Sequence, residues 1–256
     1  PSPIMVMQPT IQMAETFSKD RLSPMLRDTP VLRDKVNDKS RNSGNTILQK
    51  IFPGGHVTMV GANSPSSLAS RPIRILLADE IDRYPATAGN EGDPLLLAGK
   101  RLATFWNKKE VCVSTPTNKE TSRIAVEFEH STQEEWNVPC PACGAFTPLL
   151  WANIVFDRDK LDEIGCTCPA CGVVSSETEW KEQYINGKFV AAHPERKVRG
   201  FHLNALASLF VDWREIVEKF LTANEEKKKG NIELLKVWTN TEMGETWEED
   251  GEQIET

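Results

Sequence analysis

Two groups of residues have the types and spacing to do chemistry: a set of closely spaced thiols and a pair of adjacent carboxylates. Cys140-Pro-Ala-Cys143-Gly and Cys168-Pro-Ala-Cys171-Gly are two copies of one pattern, with 24 residues between them. Two residues between thiols let both reach one ion, and the glycine that follows lets the turn close beneath it. Four thiolates in a tetrahedron suit Zn2+, and ligation by four protein groups makes such a site structural, not catalytic. Cys140, Cys143, Cys168 and Cys171 are therefore the expected zinc ligands. Cys166 lies two residues before Cys168 and is read as a bystander; Cys112 sits in an apolar run and is read as core. A metal also explains how a short, proline-containing segment could hold together with little core of its own.

The carboxylates are Asp79 and Glu80, which follow the apolar run Ile73-Arg-Ile-Leu-Leu-Ala78. An apolar strand ending in Asp-Glu is the Walker B arrangement. Ligands bind outside the carboxyl ends of strands in open α/β sheets, so a rigid strand would present both acids at a fixed place. In phosphoryl chemistry the first acid, Asp79, would hold Mg2+, directly or through water. The second, Glu80, would orient or deprotonate the attacking water. The motif alone is weak, because Asp-Glu after an apolar run also suits a loop or a helix start. Ser114-Thr115-Pro116-Thr117 ends the next apolar run, Val111-Cys-Val113, and its hydroxyls could meet a γ-phosphate; an ordinary turn stopped by proline has the same composition. The phosphate-loop pattern G-x-x-x-x-G-K-[ST] does not occur, and Gly99-Lys100 and Gly187-Lys188 have the wrong neighbours for it. Without those backbone amides and that lysine, tight nucleotide binding by this chain alone is not expected.

The elements that must position these groups read as α/β. Ile4–Met7 predicts a strand and Pro9–Leu22 a helix, with Pro24 and Pro30 as punctuation and a short helix over Val31–Val36. Thr46–Phe52 and His56–Val60 flank Pro53-Gly54-Gly55 and predict a hairpin. The run before Asp79 reads as a strand buried on both faces. A helix is expected over Asp93–Trp106 and a second buried strand over Glu110–Ser114. Strand, helix, strand in alternation gives an α/β layer architecture: a partial P-loop NTPase-like sheet with helices on both faces, carrying an inserted zinc-ribbon module. Composition shifts near Trp136, which places boundaries at 1–135 for the sheet half, 136–177 for the zinc insert and 178–256 for a remainder with two helices, Trp213–Asn224 and Asn231–Asn240.

Charge and length bound the alternatives. The 256 residues suit one large domain or one domain with an insert. The formal charge of −7 is local: seven acids and no base lie between Glu242 and Thr256, and the remaining acids match the 30 bases. No apolar run reaches the roughly 20 residues needed to span a bilayer, so no membrane partner is expected. No secretory signal precedes the cysteines, which favours metal over disulfides. Lys188, Arg196, Lys197 and Arg199 form a basic stretch near His193 and His202 that either meets phosphates or is a solvated face.

In order and spacing these motifs resemble the large terminase subunit of tailed bacteriophages, in the GpA-like class typified by phage lambda. The resemblance runs through Ser64-Pro-Ser-Ser-Leu-Ala-Ser-Arg-Pro-Ile-Arg74, Leu77-Ala-Asp-Glu-Ile-Asp-Arg-Tyr-Pro85, Glu91-Gly-Asp-Pro94, Ser114-Thr-Pro-Thr117, both cysteine knuckles, Gly200-Phe-His-Leu-Asn-Ala205 and Asn240-Thr-Glu-Met-Gly-Glu-Thr-Trp247. It implies an ATP-driven motor that moves double-stranded viral DNA into a capsid in the host cytoplasm. The implied partners are a small terminase subunit, the capsid portal and further copies of the same chain. It implies that Asp79 and Glu80 are the Walker B acids and that Ser114, Thr115 and Thr117 belong to the motif coupling hydrolysis to movement. Arg71 and Arg74, just before the strand, would face a phosphate or brace the strand. The resemblance places the phosphate loop upstream of Pro1 and the nuclease beyond about Glu252. The chain is thus expected to be a central piece of the ATPase region with background ATP turnover by itself. The competing readings are a zinc-ribbon DNA-binding or scaffold module without ATPase activity, and a P-loop helicase relative.

Overall fold

The computed structural model describes residues 2–36, 44–69 and 71–249. The chain divides into two units, Pro1–Ser114 and Thr115–Thr256. The first is built on a five-stranded sheet of order β2-β3-β1-β4-β5, with β1 Ile4–Gln8, β2 Gln49–Phe52, β3 Gly55–Gly61, β4 Ile75–Asp79 and β5 Lys109–Val113. Strands β3, β1, β4 and β5 are parallel, and only β2 is antiparallel, joined to β3 through the expected Pro53-Gly54 hairpin. The parallel strands therefore all end at one edge, where Gln8, Gly61, Asp79 and Val113 stand.

Helix α1 (Ile11–Phe17) starts at Thr10, whose side chain accepts from the Met13 amide. It runs through a widened turn, Ser18–Leu22, into α2 (Ser23–Asp28), and α3 (Pro30–Arg33) follows. The sequence expected Pro24 to end this helix. The chain continues because the Ser23 amide bonds back five residues to Ser18, an opened turn next to a residue that has no N–H to donate. Ala14, Leu22 and Leu26 from these helices pack on Val6 and Met59 of the sheet. By strand alternation Met5 and Met7 point to the other face, and both are buried. Two short helices complete the unit, α4 (Pro65–Ala69) and α5 (Pro94–Gly99), the latter capped by Asp93 and followed by a single tighter turn to Leu102. This is shorter than the helix expected to reach Trp106.

Strands β4 and β5 correct a second expectation. Leu76 and Ala78 are buried, but Leu77, on the Val6 face, is 38% exposed, and Val113 of β5 is 54% exposed. β5 is an edge strand, and neither it nor β4 is covered on both faces by described residues. The apolar run was a sound signal for a strand but not for the number of faces it buries.

The second unit contains α6 (Arg123–Glu129), β6 (Glu134–Pro139), β7 (Phe146–Pro148), β8 (Ile154–Asp157), β9 (Lys160–Thr167), β10 (Val174–Ser176), α7 (Glu177–Glu182), β11 (Lys188–Ala191), β12 (Phe201–His202), α8 (Trp213–Lys228) and α9 (Glu233–Trp238). β6 pairs with β7, β11 and β12, while β8, β9 and β10 form an antiparallel sheet. The buried core is continuous: Val138, Leu149, Ile154 and Ile164 pack with Trp180, Leu206, Trp213, Ile216, Val217, Trp238 and Met243. Residues 136–177 thus share their core with the helices that follow. Among the described residues no helix is long and apolar enough to cross a membrane.

Candidate functional site

Asp79 closes β4 and its neighbour on β1 is Gln8, the buried last residue of that strand. The Gln8 Nε2 amide donates to Asp79 Oδ2 at 3.0 Å. That bond fixes the carboxylate's rotation. The backbone then reverses through Glu80, which takes left-handed angles (φ 56°, ψ 47°) that residues other than glycine rarely adopt. Such a conformation costs about 1–2 kcal/mol, so the surroundings must enforce it. They do: Ile81 is fully buried, Tyr84 Oη donates to the Met7 carbonyl at 2.9 Å, and the Asp82 amide donates to Ser114 Oγ at 3.2 Å. The acidic turn is stapled to β1 on one side and to the end of β5 on the other. Arg83 Nε approaches Glu80 Oε2 at 3.1 Å, an ion pair by distance, yet that oxygen has no hydrogen bond of acceptable angle. Arg83 therefore attracts Glu80 without locking its orientation.

The structure brings Asp79, Glu80 and Ser114 together and separates the two arginines from them. Arg74 precedes β4: its amide donates to Pro3 O and its carbonyl accepts from Lys109 N. Four residues of strand, Ile75–Ala78, lie between it and Asp79, a separation of about 16 Å. Arg71 lies at the same edge, near His56 at the start of β3; burial, and next the Arg71 charge, hold His56 below the usual imidazole range. Neither arginine can reach a phosphate held at the carboxylate end, because both sit at the edge where the parallel strands begin. Thr115 and Thr117 open the second unit. There the Pro116 and Thr117 carbonyls accept from Asn240 Nδ2, and the Trp247 amide donates to Thr117 O. Sequence reasoning had no role for Gln8, Tyr84 or Asn240. The only signal for Gln8 was a polar residue closing an apolar strand, and for Asn240 its place in the run Asn240–Trp247.

The four cysteines form the second candidate site. Their sulfurs lie within 4.8 Å of one another, with Cys140 to Cys171 and Cys143 to Cys168 both at 3.9 Å, and no disulfide links them. A tetrahedron with metal–sulfur bonds of about 2.3 Å has edges of about 3.8 Å, so the array has the size of a metal site. Each knuckle closes identically. Gly144 and Gly172 take φ of 73° and 74°, and their amides donate to Cys140 O and Cys168 O at 2.8 Å. Cys166 stands outside the group, and burial pushes its thiol up to about 12, the behaviour of a core residue. The basic stretch is largely used internally. Arg196 Nη1 donates to Glu129 O and Ser131 O, Arg199 grips the buried Glu134 with two bonds of 2.8 and 2.7 Å, and Lys188 lies 3.8 Å above the Phe146 ring.

Compared with known proteins, residues 1–189 match the family described as phage terminase large subunit gpA, ATPase domain, and residues 198–256 match the gpA endonuclease domain. The second match reaches back over β12, α8 and α9, whereas the sequence reading started the nuclease beyond about Glu252. The large terminase subunit of Enterobacteria phage P21 is 25% identical over 96% of this chain, and that of Escherichia phage lambda 26% identical over 94%. The chain spans 41% of the length of each of these relatives. The large terminase ATPase domain of Thermus phage P74-26 aligns with 95% of this chain and 76% of its own, at 13% identity and a TM-score of 0.44. The match of 189 consecutive residues to one family carries the conclusion: this chain belongs to the phage terminase large subunit gpA family, and its first three quarters are ATPase domain.

Proposed function

We propose that this chain forms the acidic side of an ATP-hydrolysing site in a viral DNA-packaging motor. The observation that carries the reading is Asp79 held by Gln8 at the strand edge, with Glu80 forced into a left-handed turn beside it. Gln8 occupies one oxygen of Asp79 and leaves the other for a hard cation, a donor type that fits Mg2+. Mg2+ bound there would neutralise charge on the phosphates of ATP. Asp79 holds and orients; Glu80 accepts a proton from, or aligns, the attacking water; Ser114 Oγ fixes the turn that carries both acids. Arg83 keeps the Glu80 carboxylate close without fixing its orientation. The cysteine array would hold structural Zn2+ as a ribbon, tying the β6–β7 and β9–β10 turns together. Double-stranded DNA, a small terminase subunit, a capsid portal and sister copies of the chain are the partners this reading implies, in the host cytoplasm.

The alternative, a DNA-binding zinc module without ATPase activity, loses its main support because Arg196 and Arg199 are tied to internal acceptors. The test is Glu80→Gln in a large subunit that carries this sequence together with a phosphate-binding loop. Loss of the base and water-orienting group should lower kcat for ATP by about 10²–10⁴-fold with KM little changed. Unchanged turnover would assign the hydrolytic role elsewhere.

A further inference from the structure

The four residues Ser114–Thr117 are held at both ends by different machinery. Ser114 Oγ, at the end of β5, accepts from the Asp82 amide two residues beyond Glu80. Within the second unit, Asn240 is buried on the widened turn Thr239–Met243 that follows α9, and its Nδ2 group donates to the Pro116 and Thr117 carbonyls at 2.5 and 2.8 Å. Only the nitrogen end of the amide can serve two carbonyls, so the orientation of the Asn240 side chain follows from its partners. The Trp247 amide donates to Thr117 O, and the Lys119 amide donates to Trp247 O, both at 2.9 Å, closing a short parallel bridge.

The clasp is anchored firmly on its own side. Trp238 Nε1 donates to Ile216 O at 3.0 Å, Met243 is buried in the core, and the turn ends at Gly244 in a left-handed conformation. His202 Nε2 lies 2.9 Å from the Met243 carbonyl and Nδ1 2.8 Å from Glu135 Oε2. The clasp itself is under-paired: Asn240 Oδ1, Asn118 Oδ1 and Trp247 Nε1 are all buried without a hydrogen-bond partner. Each buried group in that condition costs stability, so the clasp is held by the Asn240 Nδ2 bonds and the short bridge and not by full pairing of its side chains.

We propose that Asn240 is a positioning residue that fastens Ser114–Thr117 to the 239–247 segment, so that movement of the acidic turn during ATP turnover is passed along these four residues to the endonuclease-matching part of the chain. The inference rests on the ATPase reading of Asp79 and Glu80. Asn240 touches neither nucleotide nor metal; its side chain acts on the two peptide groups that continue the chain from Ser114.

The experiment compares Asn240→Ala and the uncharged, near-isosteric Asn240→Leu with wild type and with Glu80→Gln, in a large subunit able to package DNA. Retained circular dichroism and bound zinc identify folded variants, and Asn240→Leu, which fills the same space without the donor, covers the case in which the alanine variant fails to fold. Amide exchange at Lys119 and Trp247 should quicken by about 10-fold, the loss expected for removing one charge-free buried bond pair. ATP hydrolysis should stay within about 3-fold of wild type while DNA packaged per ATP falls by about 10-fold or more, the signature of lost coupling and not of lost chemistry. If Glu80→Gln stops hydrolysis but the Asn240 variants package as much DNA per ATP as wild type, the coupling role is overturned while the ATPase reading stands. If Glu80→Gln hydrolyses at the wild-type rate, the ATPase reading fails and the coupling role falls with it.

Discussion

The acidic turn and the cysteine knuckles solve the same problem, holding charged or chargeable groups at fixed positions, by opposite routes. Each knuckle is local. Its glycine and two amide bonds lie within six residues, and the two copies have the same hydrogen-bond pattern. The acidic turn is assembled from three places in the chain: Met7–Gln8, Asp79–Tyr84 and Ser114. Its geometry is stored as strain at Glu80, against which the Tyr84, Ile81 and Ser114 contacts must work. A local device needs an ion to bring its two halves together; a distributed one needs the whole sheet. The first should fail all at once when its ion is lost, and the second should degrade by steps as single contacts are removed.

The largest expected effect separates these behaviours. Cys168→Ser should abolish stoichiometric zinc and collapse the second unit's cysteine turns, since metal-linked folding free energies are on the order of 10 kcal/mol. Zinc content and a thermal melt followed by tryptophan fluorescence would check it; full zinc occupancy in the variant would break the comparison. Gln8→Leu removes the amide on Asp79 without touching the turn itself. It should lower stability by about 1–2 kcal/mol and reduce ATP turnover in a packaging-competent subunit only partially, read by denaturant unfolding and steady-state kinetics. Complete loss of turnover would mean that the site is not built by additive contacts. The smallest effect is at His202. Both of its ring nitrogens face acceptors, Glu135 Oε2 and Met243 O, so the imidazolium satisfies both. The hydrogen bond to Glu135 raises its pKa above the ordinary histidine value, despite burial. A raised folded-state pKa gives stability that is fully present below the unfolded value of about 6.5 and is lost as pH rises through the folded value. Unfolding midpoints of the second unit should therefore fall across that window, and the slope should vanish in His202→Gln.

The contrast between local and distributed also explains what could be read from the sequence. The knuckles were legible because Cys-Pro-Ala-Cys-Gly specifies its own turn. Asp79-Glu80 was legible as a strand end, and the Pro53-Gly54 hairpin as a turn, for the same reason. The Gln8 contact was not, because 71 residues separate Gln8 from Asp79 and only the parallel register of β1 with β4 makes them neighbours. Arg71 and Arg74 are close to Asp79 in sequence but lie at the opposite strand edge; proximity along an extended chain is distance in space. The one-sided burial of β4 escaped the pattern of apolar residues, because that pattern records what a strand tolerates and not what covers it. Asn240 was visible within a characteristic run, but its hydrogen-bond partners lie more than 120 residues away.

The left-handed backbone at Glu80 has a consequence for anyone selecting sturdier variants of this chain. Glycine accepts those angles freely, so Glu80→Gly should relieve about 1 kcal/mol of backbone strain, offset in part by the freedom glycine gains when unfolded. Chemical denaturation of the variant would show a midpoint equal to or above that of the parent. A library screened on thermal survival alone would thus drift toward losing the carboxylate assigned to hydrolysis, and hits at this position would have to be sorted by ATP turnover before being kept.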